Sequence, residues 1–134
     1  MKHLVPPNLV LAFSEDGTLC VFESPATAVR EFEGVDAESG VVRFYDRQGQ
    51  YLEPVFSKPN KYGKLFGLFA WSVSGTYALT ANPNANEDPI AVALFETAVL
   101  EPNPWFASLE ALKAELVLNG AAVEFNPASE ASGT

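Results

Sequence analysis

The residue types able to do chemistry are few in this 134-residue chain: 17 Asp and Glu, one histidine and one cysteine. A single histidine, His3 in the terminal segment, leaves no partner for Ser-His-Asp or Cys-His nucleophilic schemes. His3 and Cys20 together cannot make a four-ligand zinc set or an intrachain disulfide. Cys20 sits between Leu19 and Val21 in a strand-like run, which reads as a small buried apolar residue. The nearest thing to a phosphate loop is Lys61-Tyr62-Gly63-Lys64. A P-loop needs Gly at 58 and Ser or Thr at 65, where this chain has Lys58 and Leu65. Catalysis by two carboxylates needs a diagnostic pair, and no spacing among the 17 selects one. The expectation is therefore no catalytic residue, no cofactor and no metal.

Binding chemistry is better represented. Glu31, Glu33, Asp36 and Glu38 fall within eight residues with no Lys or Arg beyond Arg30 beside them. The plainer reading of this run is a solvated helix end. The functional reading is a negative patch for a basic partner, which speeds encounter and sets orientation. Tyr45 and Tyr51 lie near turns, and tyrosine beside acids is a common composition for an interface anchor. Glu31, Glu33, Asp36, Glu38, Tyr45 and Tyr51 are thus the candidate partner-binding residues. Most of the 16 aromatics are expected in the core.

These residues have to be positioned by short elements. Residues 8–23 read as a hairpin turning at Asp16-Gly17, with strands apolar enough to be covered on both faces. Ser24-Pro25 is an N-cap and first-turn signal. The helix it starts has Ala26, Val29 and Phe32 as its packing stripe and Gly34 as its stop. A second hairpin runs over 40–53, turning at Asp46 to Gly49, with Pro54 marking its end or an edge position. Residues 57–64 read as a polar basic loop. Residues 65–80 read as one or two strands broken at Gly67 and Gly75. After a loop at 81–86, Asp88-Pro89 opens a segment, 90–100, whose apolar residues fit a helix or a buried strand, with helix favoured. Ser108 caps a last helix bearing Leu109, Leu112 and Leu116, stopped at Asn119-Gly120. The fold class is α+β: an antiparallel sheet built from hairpins, one short helix near the N-terminus, and one or two helices in the C-terminal third. Residues 1–126 form a single domain, and 127–134 read as a disordered tail.

The hairpin–helix–hairpin order, with Phe44-Tyr45-Asp46-x-x-Gly49-x-x-Leu52 in the second hairpin, resembles small acidic bacterial proteins. Some of these are immunity proteins of contact-dependent or polymorphic toxin systems. The resemblance covers the first half of the chain. It implies a protein that neutralises a toxin by direct binding, with a basic toxin domain as partner. Such proteins share a role without a shared motif, so no residue role is carried over. The formal charge of -9, from 8 Lys and Arg against 17 acids, argues against nucleic acid as a partner. No apolar run is long enough to cross a membrane, and prolines interrupt the start, so a soluble bacterial cytoplasmic protein is expected. Two other classes stay open. A small-ligand binder or enzyme predicts a deep apolar pocket with convergent polar groups. An assembly subunit predicts an exposed apolar patch or a stable oligomer.

Overall fold

In a computed structural model the chain is described over residues 4–65 and 69–125. The break at Gly67, His3 and the tail at 127–134 lie outside these residues. The elements in order are β1 (Val10–Ser14), β2 (Thr18–Phe22), α1 (Pro25–Glu31), α2 (Gly34–Ser39), β3 (Val42–Asp46), β4 (Tyr51–Lys58), β5 (Lys61–Leu65), β6 (Phe69–Val73), β7 (Thr76–Ala81), α3 (Ile90–Phe95), β8 (Val99–Leu100) and α4 (Leu109–Leu118). The fold is α+β. Six strands make one sheet in the order β7-β4-β3-β1-β2-β8, antiparallel except for the β2–β8 pair. Strands β5 and β6 form a separate antiparallel pair.

The central strand β1 carries apolar residues on both faces because both faces are covered. Leu9, Leu11 and Phe13 pack with Leu94 of α3 and Leu112 and Leu116 of α4. Val10 and Ala12 point the other way, against Ala28 of α1 and Ala37 of α2. The sheet is thus the middle of three layers, and a period of two through an all-apolar strand serves both cores. Both hairpin turns form where Asp and Gly place them. The Asp16 carboxylate accepts from Thr18 N–H at 3.0 Å, and the Asp46 carboxylate accepts from Gln48 and Gln50 N–H, each at 2.9 Å. Ser24 Oγ accepts from Thr27 N–H, and Ser108 Oγ from Ala111 N–H, so both helices start at their caps. Asn119 and Gly120 follow α4 as its stop.

Four expectations are corrected. Gly34 does not end α1, because Phe32 and Glu33 already leave the helix in extended conformations. Gly34 instead opens α2, where close approach requires it: a Cβ there would lie 2.6 Å from Asn60 Oδ1. The α1 stripe is also rotated. Ala28 is buried and Ala26 exposed, with Val29 and Phe32 half-buried beside the core. The basic loop 57–64 is not a loop, since β4 continues to Lys58 and β5 resumes at Lys61. Finally, 90–100 is helix and strand in turn. Thr97 Oγ1 donates to the Ala93 carbonyl at the end of α3, and β8 then joins β2, with Glu101 N–H donating to the Leu19 carbonyl at 2.9 Å.

Strands β4 to β7 form one long hairpin with a crease. Pairs such as Lys58↔Thr76 and Lys61↔Val73 keep one register across it. At the crease Asn60 ties the β4–β5 junction to the β6–β7 junction and to α2. Its amide donates to the Gly34 carbonyl at 3.0 Å, and its Oδ1 accepts from Gly75 N–H at 2.7 Å. The strands run so close that a Cβ on Gly75 would lie 1.9 Å from the Lys58 carbonyl oxygen.

Candidate functional site

The sheet splits between β3 and β4, and Pro54 explains where. The bond from Asp46 N–H to the Gln50 carbonyl makes 46 and 50 a hydrogen-bonded pair. Such pairs recur every second residue in an antiparallel ladder, so Phe44↔Leu52 is the next and Val42↔Pro54 would follow. Proline has no N–H to donate, and the β3–β4 ladder ends at Leu52. Beyond it, among the described residues, β4 pairs only with β7. Pro54 therefore holds the edge position that its type predicts, but it does not end the strand.

A groove of about 670 Å³ occupies this split. Because the sheet is interrupted there, the groove is lined from both layers: Glu38 of α2 on one side, Glu96 at the C-terminal end of α3 on the other. Glu15 after β1, Glu53 of β4 and Glu87 before α3 complete five glutamates. Arg43 of β3 also lines it, and its charge is engaged by Asp88 at 3.3 Å. Phe13, Tyr51 and Phe56 give it apolar wall. A concave site with carboxylates from four separate segments concentrates negative potential and raises the local concentration of cations. Among the described residues no group of three or more His, Cys, Asp or Glu is close enough to share a metal ion. The glutamates are thus a distributed lining.

The six sequence-selected residues do not form one patch. Glu38 faces the groove and accepts a hydrogen bond from Tyr62 at 3.1 Å. Glu31 and Glu33 lie elsewhere, lining a shallow concavity with Ser74 to Tyr77. Asp36 is half-buried in the first turn of α2. Glu31 stands at a helix end, as the last residue of α1. Glu33 is the N-cap of α2 and Asp36 lies in its first turn, where the helix dipole favours negative charge. Tyr51 is half-buried, lines the groove and stacks edge-on with Tyr45 at 5.8 Å between centroids. Tyr45 itself is a core residue, 1% exposed, whose hydroxyl donates to the Asp88 carbonyl at 2.6 Å. It offers no contact surface. Instead it fixes the 87–88 segment that carries Glu87 to the groove.

Burial raises the Tyr51 hydroxyl above its ordinary range, with Glu87 and Glu53 adding to it and Arg43 opposing. Burial likewise pushes the Cys20 thiol up, helped by Glu101, Asp16 and Glu31. That thiol is a poor nucleophile, in keeping with a packing role. Glu15, Glu53, Glu87 and Glu96 are scattered along the chain, and no spacing singles them out. The one local signal was Pro54 inside a strand.

No family model matches the chain, and neither the curated proteins nor the solved structures include a match to it. Among the described residues no helix is long and apolar enough to cross a membrane.

Proposed function

We propose that this chain binds a basic protein partner in the glutamate-lined groove, and that it neutralises that partner as an immunity protein neutralises a bacterial toxin. The observation that carries the reading is the split at Pro54, which opens the sheet at a groove lined by five glutamates from distant segments. A Lys- or Arg-bearing segment is the complementary occupant, since it can pair with carboxylates on either wall while its methylene stem lies on Tyr51 and Phe56. Inhibition follows if those basic residues serve the partner's own activity, as the cationic site of a nuclease does. The net charge of -9 makes nucleic acid itself a poor ligand.

The test is affinity capture from the native host, at low and high salt. The baits are the wild type and a Glu53→Gln/Glu87→Gln/Glu96→Gln variant. The expected result is a basic protein held by the wild type at low salt, and lost from the variant and at high salt. Capture that ignores both the salt and the variant removes the groove from the interaction.

A further inference from the structure

The two edges of the main sheet are built differently. On one side β8 is two residues long and is followed by Glu101-Pro102-Asn103-Pro104, a short edge blunted by charge and proline. On the other side β7 is six residues long and carries neither charge nor proline. It is the terminal strand of the order and, among the described residues, pairs only with β4.

The register shows which groups face outward. Asn82 N–H donates to the Tyr51 carbonyl at 3.1 Å, so Thr80 and Ala78 continue the hydrogen bonds to β4. Pro54, opposite Leu79, falls between them and has no N–H to give. The backbone groups of Tyr77, Leu79 and Ala81 therefore point away from β4, toward the open edge. Beside that edge a mostly apolar groove of about 480 Å³ runs between α1 and β7, walled by Pro25, Ala26, Val29, Tyr77 and Leu79, with Arg30 also lining it.

We propose that β7 is the docking edge for a second copy of this chain, the two β7 strands pairing antiparallel about a twofold axis at Leu79. This goes beyond the partner-binding reading and uses the opposite side of β4 from the glutamate groove. The outward set is self-complementary: Leu79 faces its symmetry mate, and Tyr77 faces Ala81 of the other copy, so every outward N–H meets a carbonyl. An axis normal to the sheet keeps both α1 helices on the same face, and their apolar grooves meet across it. The pairing geometry selects the second copy as occupant of this edge, because the outward set is centred on Leu79 and an identical strand meets all of it. Residues 65–86 hold no Asp, Glu, Lys or Arg, so the strand itself sets no like charges against each other, while Arg30 lines the adjoining groove and Glu31 and Glu33 flank its Thr76 end. The dimer is a single continuous sheet of twice the width.

Sedimentation velocity from micromolar to millimolar protein, with hydrogen exchange read at each end, tests this. The expected result is a concentration-dependent dimer that tightens as salt rises, because salt screens the repulsion between two acidic chains. Binding of a basic partner has the opposite salt dependence, so the two readings fail separately. The amides of Tyr77, Leu79 and Ala81 should exchange rapidly in dilute protein and become protected in concentrated protein. An Ala78→Lys/Thr80→Lys variant, which sets lysines opposite each other across the axis, should stay monomeric while keeping the wild-type far-UV spectrum. A wild type that stays monomeric at millimolar concentration overturns the proposal. So does a dimer that leaves those three amides unprotected, or protection that requires a different protein. The wild-type exchange data decide the matter even if the lysine variant does not fold.

Discussion

At the scale of single residues, the chain uses its polar side chains to tie distant segments together around buried apolar ones. Tyr45 is the clearest case, with its ring in the core against Phe13 and its hydroxyl on the Asp88 carbonyl. Tyr45→Phe should cost about 1 kcal/mol, the usual net worth of one hydrogen bond, in urea unfolding at neutral pH. The same residue sets an alkaline limit. Burial pushes the Tyr45 hydroxyl up to about 12, with Arg43 opposing and Glu87, Asp88 and Tyr51 adding. Burial and Asp36 push the Tyr77 hydroxyl up to about 12 as well. An unfolded tyrosine ionises near pH 10, about two units lower, so the unfolded chain loses these protons first. The stability the neutral hydroxyls provide is complete below about pH 10 and is lost as the pH rises through about 12. Denaturation midpoints should fall across that window, and less steeply in a Tyr45→Phe/Tyr77→Phe protein. A second tie joins the 46–49 turn to α4, where Arg47 meets Glu115 at 2.6 Å with both side chains largely covered. Glu115→Ala leaves the guanidinium half-buried without its partner, and should cost about 2 kcal/mol by the same measurement.

At the scale of elements, the decisive residues are those that stop a ladder or let two strands approach. Replacing Pro54 with Val restores an N–H at the next hydrogen-bonded position opposite Val42. That change should extend the β3–β4 ladder, protect the new amide from exchange and narrow the glutamate groove. Stability should rise by about 0.5–1 kcal/mol while partner binding falls. An unprotected amide at position 54 would show that something other than the missing donor holds the strands apart. Gly75→Ala should destabilise by about 2 kcal/mol or more in denaturant titration, because its Cβ would meet the Lys58 carbonyl oxygen with only backbone to yield. The elements that were legible in the sequence are those with local chemistry: the Asp-Gly hairpin turns, the two serine caps, and Leu112 and Leu116 on one face of α4. What misled lay in long-range contacts. Gly34 looks like a helix stop, but it is small because Asn60 lies against it. Lys58-Pro59-Asn60-Lys61 looks like a loop, but the crease occupies only Pro59 and Asn60, and pairing resumes on either side. Residues 90–100 are apolar apart from Glu96 and Thr97 because α3 buries one core and β8 then extends β2.

At the scale of the whole molecule, the acidic composition is arranged rather than uniform. Five glutamates line the split in the sheet, while β7 carries no charge at all. The run at 31–38 was visible in the sequence as a single patch, yet the fold divides it between the groove and the β7 side. The groove itself could not be read from the chain, because its carboxylates stand at positions 15, 38, 53, 87 and 96 and only the sheet topology gathers them. Two surfaces with opposite salt dependence follow, one for a basic partner and one for a second copy. The central claim is that the groove is where the basic partner docks. The most direct test is the association rate of the captured partner with Glu53→Lys/Glu87→Lys protein, set against Glu33→Lys as a control outside the groove. The groove reversals should slow association by more than about tenfold at low salt, with the gap closing at high salt, while Glu33→Lys changes it little. Equal rates for the wild type and the groove variant, or a larger loss from Glu33→Lys, would contradict the account.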